Sequence, residues 1–389
     1  MREILIKPDI CKYKTFPEFA EEFGIGESDL VLTTRLLKEK YIAPALEENI
    51  DASEDIGAPG CTGAQILVQE DFGEGEPTEE MIEKMLPAAD CDSYDRVIAI
   101  GGGTIMDIGK IFAIRRTGSV NDLFFRRAEL FRDKELICVP TTCGTGSEVT
   151  MTSVAIVKEP SGGTTKLGLL DEKLIADTAV LIPQFLEEIP HKPMAESLID
   201  ALIHATESYL SPGRATITTD TFAEKAIRMI LSAMCDYRNG VDIRRTRADE
   251  MLTAACYAGI AFLSAGCGLV HGMSYPLSGK YFVTHGAANY VFFDAILRHY
   301  DARDPAGKIS SFRAMIADAL GCDEQNAIAA LAELEDTLIP VKKMSEYGAC
   351  GEDVDLFTDS VFANQMRLVD NACVPVGPEE VRELYRQVL

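Results

Sequence analysis

Apolar residues in the first half of the chain fall in short unbroken runs. Asp29-Leu30-Val31-Leu32-Thr33-Thr34, Gln65-Ile66-Leu67-Val68, Arg96-Val97-Ile98-Ala99-Ile100 and Leu136-Ile137-Cys138-Val139-Pro140 each read as a buried strand. Runs that do not alternate with polar residues predict a parallel sheet covered on both faces, with helices between the strands. One such helix is predicted from Thr78 to Leu86, with Thr78 as N-cap and acidic residues in its first turn. The segment Glu47–Gly63 is polar and glycine-rich and predicts a loop or an irregular edge.

The pattern changes after Pro183. Glycine and proline become sparse, strand-like runs nearly vanish, and Met194–Leu210, Thr219–Tyr237, Arg247–Phe262 and Asn326–Leu338 carry helical periodicity. With 389 residues the chain can hold two cores. The expected organisation is an α/β domain over residues 1–184 and an all-helical domain over 185–389, with the boundary near Ile182-Pro183.

Composition narrows the class of protein without naming a function. Hydrophobic content of 47% with 25% charged residues is ordinary for a globular protein, and no apolar run has the length of a membrane span. The start, Met1-Arg2-Glu3-Ile4-Leu5-Ile6-Lys7, lacks the apolar core of a signal peptide, so a cytoplasmic location is expected. A net charge of −25 argues against general binding to nucleic acid or anionic membrane. Eleven cysteines with no Cys-x-x-Cys pair read as reduced, mostly core-filling thiols.

Two glycine-rich elements follow strands. In Gly101-Gly102-Gly103-Thr104-x-x-Asp107-x-x-Lys110 a strand, a tight turn and a helix beginning near Thr104 form a candidate phosphate site. The spacing departs from Gly-x-Gly-x-x-Gly, and a βα turn without a ligand is an equally good reading of this stretch alone. The second element, Pro140-Thr141-Thr142-Cys143-Gly144-Thr145-Gly146-Ser147-Glu148, offers four hydroxyls that can bond phosphate or ribose; alone it also reads as a polar surface loop. Ligands of open α/β sheets bind beyond the carboxyl ends of strands, where both elements lie.

The chain has only five histidines, so their grouping is informative. Asp200 and His204 stand at i and i+4 on a predicted helix, Ala195–Leu210, and share one face. His271 and His285 are each followed by glycine. Taken singly, each is more often a structural residue; three imidazoles and a carboxylate together form a ligand set for a divalent transition metal. His191 and His299 have no comparable context and read as structural.

The glycine run, the Pro-Thr-Thr-x-Gly-Thr-Gly-Ser-Glu loop, the Asp-Ala-Leu-x-His helix and the two later histidines together resemble the iron-dependent (group III) alcohol dehydrogenases over nearly the whole chain. Within that family the segment from Thr15-Phe16-Pro17-Glu18-Phe19-Ala20 through Asp29-Leu30-Val31 most resembles the members acting on 4-hydroxybutyrate. The resemblance implies an α/β dinucleotide-binding domain, an all-α C-terminal domain and a cleft between them, an architecture shared with dehydroquinate synthase. It implies NAD(P) over Gly102, Gly103 and Thr104, with Asp107 in the same motif, and Thr141, Thr142, Thr145 and Thr150 lining the cofactor. Lys166 matches a family lysine near the nicotinamide ribose, and Asp200, His204, His271 and His285 match the metal ligands.

The implied reaction is hydride transfer between NAD(P) and a primary alcohol or aldehyde, with 4-hydroxybutyrate and succinate semialdehyde as the expected pair. Simple alcohols or 1,3-propanediol are the alternative. The donor set suits Fe(II), the expected ion, and also Zn(II), Co(II) or Mn(II). A homodimer or larger homo-oligomer is expected.

Two departures from the family pattern affect the chemistry. The second strand ends in Thr34-Arg35 where many members carry an Asp for the adenosine ribose, which leaves NAD against NADP open. Tyr275 stands four residues after His271, where many members have a further histidine. A tyrosine can donate a hydrogen bond there but shuttles protons poorly at neutral pH. Tyr275 is therefore the candidate beside the metal, and Lys280, between His271 and His285, is the candidate cation for a substrate carboxylate.

Overall fold

The computed structural model describes residues 3–46, 63–159 and 162–389. Apart from Gly63, the predicted loop Glu47–Gly63 lies outside the described residues. The chain forms two compact units, one of Ile6–Thr142 with Ser147–Glu188, the other of Ile189–Leu389 with Cys143–Gly146 and the N-terminal residues through Leu5. The expected partition at residue 184 follows the chain alone, whereas in space a four-residue stretch of the second glycine-rich loop belongs with the helices.

Among the described residues the first unit carries ten strands: β1 (Asp9–Lys12), β2 (Asp29–Thr33), β3 (Gln65–Val68), β4 (Arg96–Gly101), β5 (Ile114–Arg116), β6 (Leu130–Arg132), β7 (Glu135–Pro140), β8 (Thr152–Lys158), β9 (Thr164–Leu170) and β10 (Thr178–Leu181). Six form one parallel sheet in the order β1-β10-β7-β4-β2-β3. The four apolar runs read from the sequence are β2, β3, β4 and β7. Along β2, Leu30 and Leu32 enter one core and Val31 the other; in β4, Val97 and Ala99 oppose Ile98 and Ile100 in the same way. Both faces are therefore dry, which is why these strands show no polar alternation.

Caps fix the helices on these faces. In α1 (Phe16–Phe23) Thr15 and Glu18 form a reciprocal capping box, and Gly24 ends the helix with φ of 64°. In α2 (Glu79–Met85) the Thr78 hydroxyl accepts from the Met81 N–H at 3.1 Å. Helix α3 (Gly103–Phe112) follows β4 directly, with Gly102 as its N-cap. It lies close on the sheet because position 109 is glycine: a Cβ there would stand 2.6 Å from the Ala99 Cβ. The antiparallel pair β8–β9 has no clear apolar signature, since its strands are rich in threonine and interrupted by Gly168.

The second unit is helical: α4 (His191–Leu210), α5 (Ile217–Arg238), α6 (Ala248–Ala265), α7 (Leu269–Tyr281), α8 (His285–Arg303), α9 (Lys308–Leu320), α10 (Ala327–Leu338), α11 (Gly351–Asn364) and α12 (Pro378–Gln387). From Leu198 onward α4 is buried on every side, packed against α5, α6 and α8. A helix buried all round is the spine of its unit, so polar side chains on it need partners inside the protein. Among the described residues no single helix is long and apolar enough to cross a membrane.

The Gly109 contact yields a stability prediction. Gly109→Ala forces a methyl against Ala99 and should destabilise the sheet unit by about 1–3 kcal/mol. A lowered urea midpoint with unchanged slope is the expected result, and an unshifted midpoint would contradict this packing.

Candidate metal centre and nucleotide site

Residues Asp200, His204 and Glu207 follow one face of α4 at i, i+4 and i+7. His271 enters from the first turn of α7, and His285 is the first residue of α8. Gly286 lets that helix start against α4, because a Cβ there would lie 2.5 Å from the Glu196 carbonyl oxygen. One donor atom from each of Asp200, His204, His271 and His285 lies within 4.8 Å of the others.

The electrostatics of this cluster fit a cation. The Nε2 atoms of His204 and His271 are 2.9 Å apart, and Asp200 Oδ1 lies 3.8 Å from His285 Nε2. Two imidazole lone pairs at that separation repel unless a proton or a metal lies between them. Burial pushes the His204 pKa down to about 4, so protonation there is disfavoured. Its Nδ1 lies 3.5 Å from Asp200 Oδ2, and its ring stacks on Phe262 with centroids 4.6 Å apart. A buried aspartate and three imidazoles whose donor atoms face one point are the donor set of a metal cage.

Two further residues complete the centre, and the sequence pattern singles out neither. Glu207 Oε2 lies 2.6 Å from His271 Nδ1 while its Oε1 accepts from the Val270 N–H at 2.7 Å. Burial alone would lower the His271 pKa, but Cys267 and Glu207 beside it raise it well above the ordinary value. Glu207 thereby keeps a proton on Nδ1 and turns the Nε2 lone pair toward the cluster. Asn289, one turn beyond His285, donates from Nδ2 to Asp200 Oδ1 at 2.8 Å. The same Nδ2 is 3.1 Å from His271 Nε2 and 3.3 Å from His285 Nε2. The Asp-x3-His-x2-Glu period on α4 is the available signal for Glu207.

The two catalytic candidates have different surroundings. Tyr275 is buried one turn along α7 from His271, with its ring 6.3 Å from that of His285. Lys280 pairs with Asp353, and its side chain is 44% exposed. Nine residues separate it from His271 on α7, which is about 13 Å of rise and half a revolution at 100° per residue. The two side chains thus leave opposite faces of the helix, and the charge of Lys280 is already matched by a buried carboxylate. This geometry removes the reason for assigning Lys280 to a substrate carboxylate.

In the sheet unit, the turn after β4 presents a backbone surface suited to a diphosphate. Gly102 is extended (φ −74°, ψ −171°), and no side chain caps the first turn of α3. The N–H groups of Gly103 and Thr104 begin that helix, where backbone donors and the dipole favour an anion. Thr141 and Thr142 follow β7, the neighbour of β4, and Thr142 lies beside Gly102.

Other motif residues serve the interior. Asp107 accepts from Ser147 Oγ at 2.7 Å and from the Val154 N–H at 2.9 Å, and burial raises its pKa. Lys110 is fully buried and donates to Ser147 Oγ, Thr150 Oγ1 and the Thr152 carbonyl. Asp107 and Thr150 are thus bound into a brace under the turn, which accounts for their polarity without a ligand. Lys166, on β9, is buried against Glu76 at 3.0 Å. In the helical unit, Gly146 (φ +57°) is needed for packing, since a Cβ would meet Gly259 Cα at 2.7 Å; Thr145 lies between it and Gly144.

A parallel α/β unit with a nucleotide turn and a helical unit with a cage of one aspartate and three histidines define a metal-dependent dehydrogenase. The family models bear this out: residues 17–183 match the iron-containing alcohol dehydrogenases, and residues 194–389 match the C-terminal part of the Fe-containing alcohol dehydrogenase family. The chain belongs to the iron-containing alcohol dehydrogenase family. It is 40% identical over 389 residues, covering all of both chains, to a 4-hydroxybutyrate dehydrogenase of Clostridium kluyveri. It is 33% identical to long-chain-alcohol dehydrogenase 1 of Geobacillus thermodenitrificans, covering 80% of this chain and 79% of that one. Its fold matches an archaeal halo-thermophilic Red Sea brine pool alcohol dehydrogenase with a TM-score of 0.84 at 24% identity, over 100% of this chain and 99% of the other.

Glu207→Gln keeps the shape of the side chain and removes its charge. We expect metal affinity to fall about 10- to 100-fold, measured by chelator competition, with the circular dichroism unchanged. Unaltered affinity would exclude Glu207 from the centre.

Proposed function

We propose that this chain interconverts 4-hydroxybutyrate and succinate semialdehyde with a nicotinamide cofactor and a divalent metal, Fe(II) first among the candidates. The carrying observation for the chemistry is the convergence of Asp200, His204, His271 and His285 on one point. The substrate is inferred from the full-length similarity to the C. kluyveri enzyme. In oxidation, the alcohol carbon gives a hydride to NAD(P), its hydroxyl gives up a proton, and the products are the aldehyde, the reduced cofactor and H⁺.

When bound, the metal supplies Lewis acidity at the substrate oxygen, and the nicotinamide supplies the hydride acceptor. The chain's own residues hold the reacting groups. Asp200, His204, His271 and His285 would coordinate the ion; Glu207 fixes the His271 tautomer and Asn289 the Asp200 carboxylate. The backbone of Gly102, Gly103 and Thr104 would bind the diphosphate, with Thr141 and Thr142 offering hydroxyls beside it. Tyr275 acts as a hydrogen-bonding neighbour of the centre, not as the proton carrier, because an ordinary tyrosine stays protonated at neutral pH. A homodimer or larger homo-oligomer in the cytoplasm completes this reading.

Formation of NADH or NADPH at 340 nm with 4-hydroxybutyrate, after Fe(II) or Zn(II) loading, tests the proposal against ethanol and 1,3-propanediol. A higher kcat/KM for 4-hydroxybutyrate is expected; preference for an uncharged alcohol would overturn the substrate. Asp200→Ala and His271→Ala should each lose activity by at least about a thousandfold even in excess metal, the scale of removing an electrophilic catalyst. Lys280→Ala should leave the Michaelis constant for 4-hydroxybutyrate within about twofold, because its ammonium is paired with Asp353 on the face of α7 away from His271. A large rise would return Lys280 to the substrate site.

A further inference from the structure

We propose that Glu70 and Asp71, at the carboxyl end of β3, make this enzyme select NAD over NADP. The inference rests on the dehydrogenase reading above and names its cofactor. Many dinucleotide folds achieve this selection with one acid at the end of the strand beside the phosphate turn. Here that strand is β2, and Thr34 and Arg35 follow it.

The register places the missing charge. Leu32 of β2 pairs with Ala99 of β4, so Thr34 lies level with Gly101 at the start of the phosphate turn. On its other side Thr33 pairs with Val68, and the chain then runs through Gln69, Glu70 and Asp71. The backbone N–H of Arg35 donates to both oxygens of Glu70, at 3.1 and 3.0 Å. The Arg35 guanidinium pairs with Asp71 at 2.5 Å, both side chains being 53% exposed. The same loop continues to Gly75, whose carbonyl lies 3.5 Å from the Thr104 hydroxyl in the first turn of α3. Glu70 and Asp71 therefore belong to the loop that borders the diphosphate turn.

Charge decides between the two cofactors. Arg35 alone would favour a 2′-phosphate, yet the groups acting on it are Asp71, Glu70 and Glu39, all carboxylates. One guanidinium among three acids leaves a negative surface, which repels a phosphate. A carboxylate has lone pairs to spare, so Glu70 can bond the Arg35 N–H and still accept from a ribose hydroxyl.

Fluorescence titration of NADH and NADPH measures binding independently of turnover. The wild-type chain should bind NADH at least about tenfold more tightly than NADPH, the scale of one partly screened charge interaction. Glu70→Gln with Asp71→Asn should shrink that ratio about tenfold, mainly by tightening NADPH; Asp71→Asn alone should move it the same way by less. Equal or stronger NADPH binding by the wild-type chain, or a ratio unmoved in both variants, would overturn the inference and leave the dehydrogenase reading intact. Failure to bind either nucleotide would overturn both.

Discussion

Four metal-type donors, one carboxylate and three imidazoles, converge inside a buried helical core. The His204 and His271 rings approach nitrogen to nitrogen at 2.9 Å, with Asp200 and His285 alongside. In a low-dielectric interior such a cluster has to be satisfied by protons shared between its members or by a bound cation. The helical unit is shaped around that requirement. α4 carries two of the four clustered donors and Glu207 on one face, Gly286 lets α8 begin against it, and Phe262 stacks on His204. Glu207 extends the same logic outward, turning the His271 lone pair inward by holding the proton on the other nitrogen.

The sheet unit solves a different problem with similar means. A phosphate turn must leave its backbone N–H groups open, so the polar side chains beneath it have to satisfy one another. Lys110, Asp107, Ser147 and Thr150 form a closed network under α3, and the buried ammonium has oxygen partners from a carboxylate, two hydroxyls and a carbonyl. Each would be costly if left alone in that interior. The turn itself is left to glycine and to the unpaired first turn of the helix.

This division explains what the sequence revealed and what it hid. Apolar runs located β2, β3, β4 and β7 because burial on both faces writes the strand directly into composition. Thr78 located α2 because a cap is a local signal. The histidines stood out by scarcity. Glu207 and Asn289 did not, since both types are common on helices and the partner of Glu207 lies 64 residues away. Asp107 and Thr150 matched a family motif, but a motif does not say whether a polar residue faces a ligand or the brace behind it. Lys280 lies between two ligands in number and on the far face of α7 in space. Arg35 reads as a free cation until its partners, 35 and 36 residues on, are known. In each of these cases the deciding contact is non-local.

The exposure of the cluster gives it a direction. The side chains of Asp200, His204 and His271 are 2–4% exposed, whereas that of His285 is 19% exposed. His285 is therefore the most exposed of the four donors, and the Tyr275 ring stands 6.3 Å from its ring. A proton released from an alcohol has to leave toward water, because Glu207 is committed to His271 and Val270, and Asn289 has no titrating group. A second histidine at position 275 would offer a relay on that side. With tyrosine there, we propose that the proton leaves through water on the His285 side, where the Tyr275 ring stands 6.3 Å from that of His285.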